Sequence, residues 1–146
     1  MDQITAYLIN RITTNQKWIK IASYTLLVEQ TIYYSNDILY SLKIDNFPFY
    51  EVSYHKHQGY LGKFTSRVII YTKNHNSVKD LVDTVLHEIA HYIQKQTDPD
   101  FHNYDLYTKT YGSWNNRFEV EAREFASQHV DKCLLYLESK GLVKRV

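Results

Sequence analysis

The chain contains 146 residues, a length typical of a single domain that builds its core without disulfides. Hydrophobic residues make up 44% and charged residues 23%, which excludes a disordered chain, a collagen-like repeat and a disulfide scaffold. The 17 Lys and Arg residues nearly balance the 16 Asp and Glu residues, and the net charge of +1 gives no basic footprint for nucleic acid. We therefore predict one domain, residues 1–146, without intrinsic affinity for nucleic acids.

Several sequence features that bear on location favour the cytoplasm. Cys133 is the single cysteine, so no intramolecular disulfide can form and the chain suits a reducing compartment. No segment approaches the ~20 consecutive apolar residues of a membrane helix. Asp2 stands where a signal peptide needs positive charge, and no small-residue cleavage site follows. We therefore expect a cytoplasmic protein without a membrane partner.

The N-terminal third has the composition of helices. Residues 1–47 contain neither Gly nor Pro, the two residues that break helix interiors. Apolar residues recur there at helical spacing, first from Ile4 to Ile12 and then from Trp18 onwards. We predict two or three helices, with breaks near 13–15 and 35–36. These helices carry no evident chemistry, so we expect 1–47 to be a support and 48–140 to be the functional core.

A short β region follows Pro48. Residues 50–55 alternate between apolar and polar side chains, which is the period of a strand. Glycines mark a turn at 58–63, and 67–72 is a short run rich in β-branched residues. We predict that the two runs, 50–55 and 67–72, form a hairpin.

Two helices are predicted after the hairpin, which gives an α+β fold. Ser77 begins the first helix, with an acidic residue three positions later as in a capping box, and Pro99 stops it. Residues 97–115 form a long polar connection, and connections of this length are often functional. The last helix is expected at about 116–140, with Gly141 as its C-terminal cap.

His87 and His91 enclose the strongest motif of the chain, His-Glu-Ile-Ala-His. On a helix the two histidines lie on one face, one turn apart, so both imidazoles can reach a single metal ion. Zinc suits two neutral imidazoles and a carboxylate, with the fourth position left for water. Glu88, beside the first histidine, can reach that water and act as general base. The motif therefore predicts a zinc site with a catalytic glutamate.

The third metal ligand is expected from the last helix, which offers three glutamates. Small and apolar residues recur three or four apart along this helix: Ala122, Ala126, Val130, Cys133 and Leu137. Glu119 extends this stripe, whereas Glu121 and Glu124 fall on the polar side. An unpaired carboxylate on an apolar face is costly, and a metal ion is a suitable partner. We predict Glu119 as the ligand, with Glu121 as the alternative and His102 as a weaker one.

A hydrolytic site also needs a donor for the oxyanion that develops in the transition state. There are four candidates, all of them C-terminal to the motif: His102, Tyr107, Tyr111 and His129. The sequence does not choose among them. His55 and His57 share one face of a predicted strand, where a second metal site is an alternative to a merely exposed strand face.

Two motifs together resemble the gluzincin metallopeptidases, and among them the ImmA/IrrE-like group of small bacterial and phage enzymes. The first motif is HExxH at 87–91, and the second is ExEAxxFA at 119–126. The resemblance covers about residues 50–135. In the family the first glutamate of the second motif is a zinc ligand, which in this chain is Glu119.

This resemblance implies a compact zincin-like domain and a zinc-dependent metallopeptidase acting on protein or peptide substrates. Glu88 then takes a proton from the attacking water and passes it to the leaving amine. The resemblance also implies that the hairpin at 67–72 offers an edge strand to an extended substrate, although the sequence alone equally allows an interior strand. Some relatives act on transcriptional repressors, but the balanced charge of this chain argues against intrinsic DNA binding.

Arg123 departs from the family pattern. Such families usually carry Asp or Asn at this position, where it supports a ligating imidazole, and an arginine cannot accept a hydrogen bond. Either another group supports the histidine or the site is altered. An alternative function follows, namely a weak or inactive zincin-fold module of phage or mobile-element origin that binds a regulatory protein partner.

Overall fold

The computed structural model describes residues 17–45, 50–53, 62–64, 68–71 and 77–145. These parts contain helices and two small sheets, an α+β arrangement as predicted. In chain order the elements are β1 (Trp18–Lys20), α1 (Tyr24–Ser41), β2 (Tyr50–Ser53), β3 (Gly62–Phe64), β4 (Val68–Tyr71), α2 (Val78–Thr97), a 3-10 helix (Pro99–Asn103), α3 (Tyr104–Tyr111), α4 (Arg117–Ser139) and β5 (Val143–Arg145).

Within residues 17–45 the N-terminal support is only partly helical, which corrects the prediction for that part of 1–47. Residues 18–20, expected in a helix, form β1 and pair antiparallel with β5, with Ile19 opposite Lys144. Helix α1 runs through the predicted break at 35–36. Ser35 does not interrupt it, because its hydroxyl donates to the carbonyl of Ile32 (2.6 Å) inside the same helix. The predicted break near 13–15 lies outside the described residues.

The β region contains both predicted strands, but they do not form a hairpin. Strands β2 and β4 pair in parallel, with Tyr50 opposite Val68. Strand β3 lies between them in sequence and pairs antiparallel with β4, so part of the predicted turn at 58–63 is strand. The order β2-β4-β3 makes β4 the central strand, which corrects the expectation that 67–72 supplies the edge. The edge strand β3 packs against α2.

The predicted start and stop of α2 are confirmed. The hydroxyl of Ser77 accepts a hydrogen bond from the backbone N–H of Asp80 (3.1 Å), which satisfies a free donor in the first turn. The helix ends at Thr97, two residues before Pro99. The long polar connection predicted at 97–115 contains two short helical elements, the 3-10 helix and α3.

Helix α4 also begins and ends near the predicted residues. The side chain of Asn116 accepts a hydrogen bond from the backbone N–H of Phe118 (3.0 Å) at its start. At its end Gly141 has a φ of 72°, a left-handed conformation that glycine adopts without strain. The local signals in the sequence therefore fixed both ends of this helix.

The core forms where α2 and α4 pack together, with α1 against both. The stripe predicted on α4 is buried, and Ala122 and Ala126 have no exposed surface. Small side chains at these positions let the two helix backbones approach closely. This packing brings the motif on α2 next to the N-terminal end of α4. Within the described parts of the chain, no helix combines the length and hydropathy needed to cross a membrane.

Candidate metal centre

His87, His91 and Glu119 converge where α2 meets the first turn of α4. The Nε2 atom of His87 lies 2.8 Å from Oε2 of Glu119, and Nε2 of His91 lies 3.0 Å from Oε1. Each of the three residues offers one ligand atom, and these three atoms lie within 4.8 Å of one another. The two helices therefore bring together the three predicted ligands, two histidines from one helix and a glutamate from the other.

The donor set of this cluster fits zinc. Zinc takes imidazole nitrogen and carboxylate oxygen at about 2.0–2.2 Å, so the ligand atoms of one ion lie roughly 3–4 Å apart. Burial alone would raise the pKa of Glu119, but hydrogen bonds and charge from His87 and His91 outweigh it and hold that pKa well below its usual range. Glu119 is therefore a carboxylate at neutral pH, the form that binds a metal ion.

Glu88 adds a second carboxyl group beside the cluster. It is only 6% exposed, and its Oε2 atom has no hydrogen-bond partner among the described residues. Burial raises the pKa of Glu88, although the nearby histidines act in the opposite direction. An unsatisfied buried carboxyl oxygen is costly unless something polar occupies the space beside it. Glu88 is therefore a buried carboxyl group beside the cluster, with one oxygen that no described residue satisfies.

Gln94 supports His91, a role that the resemblance implied for an Asp or Asn at position 123. The Oε1 atom of Gln94 lies 2.8 Å from Nδ1 of His91. Arg123 has a different role, because its guanidinium lies 3.6 Å from the ring centroid of Trp114 and donates to the carbonyl of that residue (2.8 Å). Arg123 thus fastens the turn before α4. Gln94 lies one helical turn after His91, and this spacing was the signal that could have identified it.

Tyr104 is a second residue that the sequence did not single out. Its hydroxyl donates to Oε1 of Glu119, and its ring packs edge-on against that of His91, with centroids 5.9 Å apart. Burial, followed by the hydrogen bond to Glu119, raises the pKa of Tyr104, so the phenol remains a donor. No local signal marked this tyrosine, because its contact depends on how the connection at 97–115 folds against α4.

The two tyrosines proposed as oxyanion donors have other contacts. The hydroxyl of Tyr107 donates to Oδ2 of Asp100 (2.6 Å). Tyr111 is 59% exposed, and its ring stacks on that of Tyr107 with centroids 6.3 Å apart. In the described part of the chain, neither hydroxyl bonds to the histidine–glutamate cluster. Tyr104 is the tyrosine of this segment that does.

The remaining histidine candidates also lie apart from the cluster. Nδ1 of the exposed His102 contacts the carbonyl of Pro99 (2.5 Å). The ring of His129 packs on that of Phe125, with centroids 4.6 Å apart, and burial lowers its pKa. No hydrogen bond joins either ring to the cluster within the described ranges. His55 and His57 lie outside the described residues.

Glu121, the alternative third ligand, points to a different set of partners. Its side chain is 47% exposed, with Oε1 3.3 Å from Arg117 and Oε2 3.3 Å from Nε2 of Gln94. Arg117 also binds Asp98 (2.6 Å) and Asp100 (2.8 Å). This network ties the 3-10 helix to the start of α4. The structure thus brings Glu119, and not Glu121, to the histidines.

The chain matches no protein-family model, no curated protein and no solved structure. The site itself consists of a converged His-His-Glu set, an adjacent buried carboxyl group, and the supports that Gln94 and Tyr104 provide to two members of that set.

Proposed function

We propose that this protein is a zinc-dependent metallopeptidase of the gluzincin type that resembles the ImmA/IrrE-like enzymes. The observation that supports this function best is the meeting of His87, His91 and Glu119 beside the unsatisfied carboxyl group of Glu88. Two imidazoles and one carboxylate are the protein ligands of many zinc hydrolases, which keep one position open. The substrate is a protein or peptide, and the protein acts in the cytoplasm.

His87, His91 and Glu119 would hold the ion. When bound, zinc would supply a Lewis acid that polarises a carbonyl group and lowers the pKa of water. Glu88 would accept a proton from the attacking water and return it to the nitrogen of the leaving amine. The raised pKa of Glu88 suits this role, because a general base works best when its pKa approaches the working pH.

The zincin-like fold is part of the same proposal. An active-site helix beside a small mixed sheet, followed by a helix that carries the third ligand, agrees with what the motif resemblance implies. The edge strand β3 packs against the active-site helix α2 and has a free side for an extended peptide in the described three-stranded sheet. Strand β3 therefore replaces 67–72 as the proposed substrate edge.

Metal content is the first test. The native protein, purified after zinc is supplied and excess is removed, should hold close to one zinc per chain by elemental mass spectrometry. Glu119→Ala should lose most of this zinc. Glu121→Ala examines the alternative ligand, and Glu124→Ala, an exposed glutamate of the same helix, is the matched control. A native protein without zinc would refute the proposed function.

Activity is the second test. The zinc-loaded protein is incubated with a mixture of unstructured peptides, and new termini are identified by mass spectrometry. Glu88→Gln should keep zinc and lose roughly 10²–10⁴-fold in cleavage rate, because the amide cannot accept the proton. Full activity in Glu88→Gln would rule out the glutamate as general base. A zinc-loaded native protein that cleaves nothing would favour the regulatory module instead.

A further inference from the structure

We infer that Gln94 is a positioning residue that holds a proton on Nδ1 of His91 and so leaves Nε2 as the nitrogen that binds the metal. The location of the proton is a property of the metal-free chain. Only its consequence for zinc binding rests on the proposed function. Gln94 is 7% exposed and lies one turn after His91 on α2.

The partners of Gln94 on α4 fix the orientation of its amide group. Its Nε2 atom lies 2.8 Å from the backbone carbonyl of Phe118 and 3.3 Å from Oε2 of Glu121. A carbonyl and a carboxylate both accept hydrogen bonds, so the group that faces them must be the donating NH₂. The opposite orientation would place an amide oxygen against two acceptors. The amide oxygen of Gln94 therefore faces His91.

This orientation determines the hydrogen bond to His91. The amide oxygen can only accept, and it lies 2.8 Å from Nδ1 of His91, so Nδ1 must carry a proton. In the metal-free chain Nε2 of His91 lies 3.0 Å from the carboxylate of Glu119, a contact in which Nε2 also donates a proton. A metal ion that binds Nε2 takes the place of that proton, and the proton on Nδ1 is the one that remains. Gln94 thus keeps a proton on the nitrogen that faces away from the proposed metal site.

Gln94 also joins the two helices that carry the ligands. One end of its amide binds an imidazole on α2, and the other end binds the carbonyl of Phe118, the residue directly before Glu119. Phe118 has no exposed surface, so this carbonyl is held in place by the core. A single side chain therefore sets the ring orientation of one ligand relative to the backbone that bears another. Supports of this kind raise metal affinity because the ligands are arranged before the ion binds.

Nitrogen NMR of the imidazoles tests the proton location directly. In ¹⁵N-labelled native protein, both metal-free and zinc-loaded, His91 should show a proton on Nδ1 that exchanges slowly with water. A His91 whose Nδ1 lacks a proton in the native protein would overturn the inference. This measurement needs no substrate and no variant.

The expected consequence for zinc binding is tested by measuring zinc affinity. Gln94→Met keeps an unbranched side chain of similar length but removes the amide, and it should weaken zinc binding by about 10- to 100-fold in competition with a chromogenic chelator. The slowly exchanging Nδ1 proton of His91 should be lost as well. Gln96→Met, at an exposed position of the same helix, should keep the native affinity. Equal zinc affinity in Gln94→Met and native protein would overturn the positioning role.

The two proposals fail in different ways. A native protein that binds no zinc refutes the metallopeptidase, whereas the NMR spectrum of its metal-free form still decides the proton location. Zinc binding that is insensitive to Gln94→Met refutes the positioning role and leaves the metallopeptidase standing. If Gln94→Met does not fold, the spectrum of the native protein decides alone.

Discussion

Two parts of the molecule build the candidate site by different means. The ligand-bearing helices α2 and α4 are held together by apolar side chains of the core, and they place both histidines and Glu119. The segment between them, Pro99–Asn103 and Tyr104–Tyr111, has no fully buried residue and yet delivers the hydroxyl of Tyr104 to Glu119.

Polar contacts hold this intervening segment instead. The buried side chain of Asn116 donates to the carbonyl of Tyr104 (3.0 Å) and to the hydroxyl of Thr108 (2.9 Å), while Arg117 binds two aspartates of the segment. Salt screens exposed ion pairs and weakens them, whereas it does not weaken apolar packing. We therefore expect the ligand set to be the robust part of the site and the Tyr104 support to be the adjustable part.

The largest effect is expected at the residue that joins the two parts. Phe118 is fully buried in α4, and its ring contacts those of Phe101, Tyr104 and Tyr107. Phe118→Ala should lower the free energy of unfolding by about 3–5 kcal/mol, because it leaves a cavity under both parts. Urea titration followed by circular dichroism measures this change. Leu135→Ala, at a half-exposed position of the same helix, is the control, and a Phe118→Ala protein as stable as that control would contradict the packing described.

At Tyr104 we expect a smaller effect on stability and a clear effect on zinc affinity. Tyr104→Phe keeps the ring and removes only the hydroxyl that donates to Glu119. Stability should fall by about 1 kcal/mol, and zinc affinity by about 10- to 100-fold, because Glu119 loses a partner that orients it. Chelator competition gives the affinity. Tyr111→Phe removes an exposed hydroxyl of the same helix and should change neither quantity. Equal affinities for the two variants would exclude a supporting role for Tyr104.

The smallest effect is expected for the ion pairs of the intervening segment. Arg117→Met removes the contacts to Asp98, Asp100 and Glu121. The melting temperature should fall by less than about 4 °C, because partly exposed ion pairs contribute little. The difference from native protein should shrink further in 1 M salt, where such pairs are screened. Lys132→Met, an exposed position of the same helix, provides the comparison. A difference that persists at high salt would assign Arg117 a packing role instead.

The same division explains what the sequence could predict of the fold. Helices α2 and α4 follow from the 3.6-residue spacing of apolar side chains and from caps such as Ser77, all of which are local signals. Strand β1 could not be predicted from local signals, because its partner is β5 at the other end of the described chain. The parallel pairing of β2 with β4 was likewise invisible, since two neighbouring strand patterns favour a hairpin.

The residues of the site also divide into those that local signals predict and those that they do not. The spacing of His87 and His91, and the stripe that Glu119 extends, depend only on positions along single helices, so these residues could be placed from the sequence. Gln94 lies on the same helix, but its importance depends on the carbonyl of Phe118 across the helix interface. The contact of Tyr104 with Glu119 could be recognised only once the fold of 98–116 was known. Contacts within one helix were therefore predictable, and contacts between elements were not.

The pairing of β1 with β5 imposes an order on the folding of the newly made chain. Trp18–Lys20 leaves the ribosome more than a hundred residues before Val143–Arg145, and the two strands can pair only when the latter has emerged. By then α2 and α4, with the whole proposed ligand set, are already available outside the ribosome. Because this pairing is the last to become possible, the histidine–glutamate cluster can assemble before the sheet closes. Zinc bound by His87, His91 and Glu119 would favour that order, since it would dock α2 onto α4 before β1 meets β5.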